Sequence, residues 1–132
     1  MLTGGCYCQA IKYQAAGNAI NRTMCHCTIC RGTTGAPCVA WVSVPANAFR
    51  FTKGSPTLFR SSQHDTRAFC GHCGTQLTFS DDVSADEVDL TTCSLDVYTG
   101  VEPQDHSFIA SQVPWLQLGD GLPRYQRSRA ED

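Results

Sequence analysis

Phe69-Cys70-Gly71-His72-Cys73-Gly74-Thr75 sets two thiols on a glycine-rich turn between two strand-like runs. Far upstream, Gly4-Gly5-Cys6-Tyr7-Cys8 offers a second pair behind two glycines. Thiolates from one segment converge on a metal only where the backbone turns sharply, and glycine allows this by visiting φ > 0 and leaving room beside the ion. Together the pairs supply four sulfurs, a complete tetrahedral ligand set for zinc. Closing that site pins the N-terminal segment to the middle of the chain, so this reading decides the fold. A structural zinc contributes on the order of 10 kcal/mol or more, comparable to a whole domain's net stability. The alternatives are a disulfide to Cys6 or Cys8 and a redox pair at Cys70 and Cys73. A redox C-x-x-C opens a helix in a βαβ setting, whereas the flanks here read as strands. With four sulfurs at hand, His72 is expected beside the site or on the surface.

A third group, Met24-Cys25-His26-Cys27-Thr28-Ile29-Cys30-Arg31, packs three more thiols together. Three thiolates so close repel one another unless a cation holds them. Zinc with three protein ligands keeps a position for water or substrate, and such open sites do chemistry while closed sites hold structure. The fourth ligand is left open: His26, Cys38, His64, Cys93, His106, an outside thiolate or water. Three readings follow, namely an open catalytic zinc, a second structural zinc closed by Cys38 or a histidine, or free redox-active thiols. Arg31 adds positive charge that lowers thiol pKa and attracts an anionic substrate. His26 is the nearest candidate proton-transfer group. Cys38 and Cys93 fall in or beside strand-like runs and are expected as small buried hydrophobes. His64 and His106 are expected as satisfied or exposed histidines, and Trp115 as a cover for the core.

The remaining composition bounds the class. A chain of 132 residues with 42% hydrophobic and 17% charged residues reads as one globular domain. Ten basic against twelve acidic residues leave a net charge of -2 and no basic stripe, which argues against a nucleic-acid partner. Met1-Leu2-Thr3-Gly4-Gly5 lacks the charged and apolar regions of a signal peptide, and no run is long and apolar enough for a membrane span. A cytoplasmic location is therefore expected, where thiols stay reduced and metal binding accounts for the cysteines better than disulfides do. Nine cysteines also leave one over in any all-disulfide scheme.

Short β-branched and apolar runs separated by turn residues predict a mainly β fold. Strands are expected near Ile11–Gln14, Val39–Val44, Phe49–Thr52, Thr57–Ser61, Thr66–Phe69, Gln76–Ser80, Glu87–Cys93 and Ser107–Ala110. Gly54-Ser55-Pro56 and Ser80-Asp81-Asp82 read as turns. No window shows a sustained helical period, and single helical turns are expected at Pro45–Phe49 and Thr28–Gly32. The residues from Gly121 onward are polar and read as a partly ordered tail, with Arg124, Arg127 and Arg129 offset by Glu131 and Asp132.

These residues resemble the glutathione-dependent formaldehyde-activating enzyme family, which includes centromere protein V-like members. The likeness is carried by Gly4-Gly5-Cys6-Tyr7-Cys8, Cys25-His26-Cys27-Thr28-Ile29-Cys30-Arg31 and Gly35-Ala36-Pro37. Phe69-Cys70-Gly71-His72-Cys73-Gly74-Thr75 and Pro114-Trp115-Leu116 complete it, so that it runs from about Gly4 to Trp115. The resemblance implies a single β-tent domain with two zinc sites and short helical turns. It implies that Cys6, Cys8, Cys70 and Cys73 hold a structural zinc, and Cys25, Cys27 and Cys30 a catalytic-type zinc. The implied activity is carbon–sulfur lyase-type chemistry, joining glutathione to formaldehyde as S-hydroxymethylglutathione, with glutathione or another thiol and an aldehyde as small-molecule partners. Cys93 departs from the family's pattern, in which a small non-thiol residue is usual, and near the second metal it would close the open position. The readings from another class are a zinc-stabilised protein-binding module and a thiol redox sensor.

Overall fold

The chain is built from short strands joined by tight turns. In the computed structural model, which describes residues 1–129, these are β1 (Leu2–Gly5), β2 (Lys12–Ala15), β3 (Asn21–Cys25), β4 (Val39–Pro45) and β5 (Phe49–Lys53). There follow β6 (Thr57–Arg60), β7 (Asp65–Phe69), β8 (Gln76–Asp81), β9 (Glu87–Thr91) and β10 (Asp105–Ser107). One helix, α1 (Thr28–Thr34), and three single helical turns complete the described elements. Two sheets result, a small one in the order β1-β2-β5 and a seven-stranded one in the order β10-β3-β4-β9-β8-β7-β6. All pairings are antiparallel except β10 with β3. No helix among the described residues is long and apolar enough to cross a membrane.

β4 shows why the layers form. Successive side chains of a strand point to opposite faces, so Val42 and Val44 turn one way and Trp41 and Ser43 the other, and all four are buried. The valines join Leu77, Val88 and Leu90 against Tyr13, Ala15 and Ile11, with Phe49 and Phe51 at the margin, to form the main core between the sheets. Trp41 faces away from that core into a second cluster with Cys25 and Cys30. A sheet covered on both faces reads as a continuous apolar run, which is how Val39–Val44 appears in the sequence. Gly4 lets the small sheet dock: a Cβ there would lie 2.4 Å from the Tyr13 hydroxyl oxygen and 2.5 Å from the Ser94 carbonyl oxygen.

Antiparallel register then lines residues across the second face. Arg67 pairs with Phe79, Phe79 with Asp89, Asp89 with Ser43 and Ser43 with Asn21, one row spanning five strands. A neighbouring row runs from Asp105 through Thr23 to Trp41. Polar residues at alternate positions therefore gather on the face that the apolar core does not use.

All the expected strands form, with shifted ends. Glu87–Cys93 ends as a strand at Thr91 and becomes a helical turn over Thr92–Ser94. The strand expected at Ser107–Ala110 lies instead at Asp105–Ser107, followed by a turn over Ile109–Ser111. β1 and β3 escape sequence reading because glycines and polar residues fill them, and pairing partners supply what propensity does not. The expected tail is tied down as far as Arg129. His106 N–H donates to the Pro123 carbonyl (2.9 Å) and Tyr125 N–H to the His106 carbonyl (2.9 Å). Arg129 bonds the buried Asp105 carboxylate through Nε at 2.6 Å. Glu131 and Asp132 lie outside the described residues.

Burial of Asp89 in the sheet raises its carboxyl above the ordinary range, against a 2.6 Å hydrogen bond from the Ser43 hydroxyl. The folded state thus holds this proton more tightly than the unfolded chain does. Stability from this group is present below the unfolded value of about 3.9 and is lost as pH rises through the raised folded value. Asp89→Asn should therefore be more stable than the parent at pH 7, with the gain shrinking toward acid. Urea midpoints of both zinc-loaded proteins at several pH values check this, and a variant less stable at neutral pH would contradict it.

Candidate metal centres and the adjoining cavity

Two knuckles build the first centre. After Cys6 and Cys8 the chain reverses at Gln9, a non-glycine residue at φ 66, and Gln9 N–H bonds the Cys6 carbonyl at 3.1 Å. After Cys70 and Cys73 it reverses at Gly74, φ 83, whose N–H bonds the Cys70 carbonyl at 2.8 Å. The turns aim backbone N–H groups at the sulfurs: Ile11 N donates to Cys6 Sγ at 3.3 Å, and His72 N and Cys73 N to Cys70 Sγ at 3.4 Å each. Thr75 joins the knuckles, taking the Tyr7 N–H at 3.0 Å while its hydroxyl and backbone N–H hold the Cys73 thiol down to about 5. His72 is exposed, as expected, and contributes its backbone rather than its ring.

The donor set fits zinc. Zinc–sulfur bonds of about 2.3 Å in a tetrahedron place the sulfurs roughly 3.8 Å apart. Cys6 and Cys8 sulfurs are 3.6 Å apart, and those of Cys8 and Cys70 3.7 Å. All four lie within 4.8 Å of one another.

The second centre forms where β3 runs into α1. Cys25 ends the strand, Cys27 caps the helix by accepting the Cys30 N–H at 3.2 Å, and Cys30 sits in the first turn. α1 stops at Gly35, φ 75, which returns its N–H to the Arg31 carbonyl at 2.7 Å. The three sulfurs also lie within 4.8 Å of one another, and no other Cys, His, Asp or Glu among the described residues joins them. Negative charge in this cluster settles on Cys27. Hydrogen bonds from the Cys25 and Cys30 thiols, then from the backbone N–H groups of Cys30 and Ile29, bring it down to about 2. Cys25, bonded to Cys27, is pushed far up. A divalent cation lets all three ionise together, so the donors fit a thiolate-bound metal.

The triad opens onto a cavity of about 430 Å³, within the range of small-molecule sites. Its walls are the two cross-strand rows, with Phe108 and Ile29 closing the triad end and Ser128 and Arg129 one side. Arg67 is the feature that sequence reading missed. It is 3% exposed, both terminal nitrogens lie 3.6 Å from Cys30 Sγ, and its guanidinium stacks 4.9 Å from the Phe79 ring centre and 5.9 Å from that of Trp41. The available signal was an arginine at an inward position of an otherwise β-forming run.

The two expected catalytic residues lie elsewhere. His26 is fully buried, yet it follows the end of β3 with its ring bonded to His106, and it does not line the cavity. Its Nε2 is 2.9 Å from His106 Nδ1, and His106 Nε2 is 2.7 Å from an Asp120 carboxylate oxygen. The carboxylate accepts from His106 Nε2–H, and in the neutral tautomer this leaves Nδ1 to accept from His26 Nε2–H. Burial lowers the His26 pKa, which suits the neutral ring. His26 thus fastens the cysteine loop to β10 and the Asp120 loop. Arg31 lines a separate shallow depression with Trp115, and the guanidinium beside the triad belongs to Arg67 instead. Trp115 is 71% exposed rather than covering the core, a position taken by Trp41. Cys93 projects from its helical turn into solvent instead of being buried and does not approach the triad. Cys38 is half-buried, and His64 is exposed.

The sequence profile of the family described as glutathione-dependent formaldehyde-activating enzyme matches residues 1–111. The chain belongs to this family. The match spans all seven grouped cysteines, so both centres fall inside the region shared with the family. Among solved structures, a Rhodobacter sphaeroides protein is 20% identical and superimposes with a TM-score of 0.64 over 93% of this chain and 98% of that one. At that identity the likeness speaks for the fold alone.

With a cation bound by the three thiolates, Arg67 would offset their excess negative charge. Groups that contact metal ligands commonly change affinity about 10- to 100-fold when removed. Arg67→Met should weaken metal retention at the triad about 10-fold or more while the four-sulfur centre keeps its ion. Competition with a chromophoric chelator measures both in one titration. Equal affinity in parent and variant would contradict the role given to Arg67.

Proposed function

We propose that the chain catalyses reversible addition of a thiol to an aldehyde, a carbon–sulfur lyase-type reaction. Glutathione and formaldehyde are the pair that the family's description supplies. In the forward direction the thiol sulfur bonds the carbonyl carbon, the carbonyl π pair moves to oxygen, and the thiol's proton ends on that oxygen. No electrons leave the system, so no redox cofactor is needed. The observation that carries the reading is the open triad: three sulfurs with no fourth protein ligand among the described residues, facing a cavity.

Cys25, Cys27 and Cys30 would hold zinc, and Cys6, Cys8, Cys70 and Cys73 would hold a second, structural zinc. The zinc at the triad supplies positive charge that favours a substrate thiolate and polarises a carbonyl. Arg67 holds Cys30 in place and shields its charge. The proton has a route independent of His26. Ser107, level with Cys25 across the β10–β3 pairing, lies in the wall, and its Oγ is 3.0 Å from Thr23 Oγ1. Thr23 in turn bonds the Asp105 carboxylate at 2.6 Å. Ser107 Oγ would pass the proton between sulfur and oxygen, with Thr23 and Asp105 orienting it. Trp41, Phe79 and Phe108 exclude water from the same space, which strengthens each electrostatic contact within it.

Exchange NMR on formaldehyde, glutathione and their adduct tests the proposal, because the uncatalysed reaction provides the baseline. The exchange rate should rise in proportion to added zinc-loaded protein and return to baseline in Cys27→Ser, whose circular dichroism should stay native. Cys73→Ser should lose that native spectrum. A rate indifferent to protein concentration, or a Cys27→Ser protein as active as the parent, would sink the proposal.

A further inference from the structure

We infer that the aldehyde half of the substrate carries an uncharged, apolar group about the size of an aromatic ring, seated in the triad cavity. The inference rests on the thiol–aldehyde reading and extends it to substrate class. Formaldehyde, with its single carbon, takes up little of the aldehyde's share of a space of about 430 Å³.

The charges of the wall are already committed. Arg67 bonds Cys30 Sγ, the Ser61 hydroxyl at 3.0 Å and the Thr33 hydroxyl at 3.4 Å, and its faces are taken by Phe79 and Trp41. Arg129 is paired with Asp105. Asp65 accepts from the Ser62 hydroxyl at 2.6 Å, and Asp89 from the Ser43 hydroxyl at 2.6 Å. An anionic group on the aldehyde would have to break one of these pairs, or sit unpaired among the cavity's aromatic rings, and either is costly. Of the wall's fully buried side-chain polar atoms, the one without a partner among the described residues is Asn21 Oδ1, a neutral acceptor.

The aromatic side of the cavity is built at a cost. Phe108 adopts φ 57 and ψ 41, a left-handed conformation that a bulky side chain seldom takes. The surroundings hold it there: Phe108 N–H bonds the Arg127 carbonyl at 2.9 Å, and the residue packs against the Cys25, Cys30 and Trp41 cluster. Strain of this kind persists where the structure over-determines it, and it gathers at ligand sites. Phe79 and Trp41 meet in the wall at a 58° tilt with ring centres 6.1 Å apart. An apolar ring entering beside Phe108 would meet edges and faces on several sides, the arrangement aromatic groups favour.

Two unreactive alcohols that differ only in what their hydroxymethyl group carries test this: benzyl alcohol bears an uncharged ring and glycolate a carboxylate. Each is titrated into zinc-loaded, ¹⁵N-labelled protein while the Trp41 indole N–H resonance is followed, with Trp115→Phe giving its assignment. Benzyl alcohol should shift that resonance saturably, with half-saturation at a concentration at least ten-fold below that of glycolate. Phe108→Ala should raise the benzyl alcohol value at least five-fold while the rest of the spectrum stays native. Glycolate binding as tightly as benzyl alcohol, or benzyl alcohol leaving Trp41 unmoved, would overturn the inference. The titration involves no turnover, so a flat exchange rate with formaldehyde and glutathione would strike the reaction proposed above without touching this result.

Discussion

Four sulfurs from two knuckles, one at the N-terminus and one between β7 and β8, meet at the edge of the two sheets. Four thiolates at such distances repel strongly, and a shared cation turns the repulsion into a crosslink between distant parts of the chain. β1 of the small sheet ends one residue before Cys6, and the strand that carries Arg67 ends one residue before Cys70. The docking of one sheet on the other and the placement of β7 are therefore both tied to this centre. A domain of this size has a modest core, and the crosslink adds stability where burial alone is thin. Backbone N–H groups aimed at the Cys6 and Cys70 sulfurs give each a hydrogen bond from its own turn.

With the sheets held this way, strand alternation divides the labour of the large sheet. One face supplies valines and leucines to the core, and the other presents two polar and aromatic rows on which the triad sits at one end. The difference between the centres follows from the backbone around them. Each knuckle of the first centre gives two sulfurs from opposite sides, which closes the shell. The second centre takes all its sulfurs from one strand-to-helix junction, so they approach a metal from one side and leave the cavity side open. His26, His106 and Asp120 secure that junction from behind, and Arg67 secures it from the front.

Much of this was legible in the residues. The C-x-C, C-x-C-x-x-C and C-x-x-C spacings identify both sulfur groups, because ligands to one ion must come from tight local turns. The mostly apolar run Val39–Val44 marks a strand covered on both faces. What stayed hidden depends on pairing and register. Nothing local in Asn21–Cys25 signals a strand, and only the partnership with β4 and β10 makes it one. Arg67 acquires its role by standing across from Phe79, a relation that register creates and sequence spacing does not. His26 looked catalytic because it lies between two cysteines of the triad, yet its ring is held by His106 and stands outside the cavity wall. The polar C-terminal segment looked frayed because backbone hydrogen bonds to β10, which hold it, leave no trace in composition.

The central claim is that the two sulfur centres differ in kind, one closed by four thiolates and one held by three with a position left for substrate. Cadmium NMR on protein loaded with a magnetically active isotope of that metal reads thiolate count directly from chemical shift. The account predicts two resonances of equal intensity, one in the four-thiolate region and one in the region for three thiolates with an oxygen or nitrogen donor, with only the second responding to added small thiols. Two resonances in the four-thiolate region, or a second resonance indifferent to thiols, would contradict it.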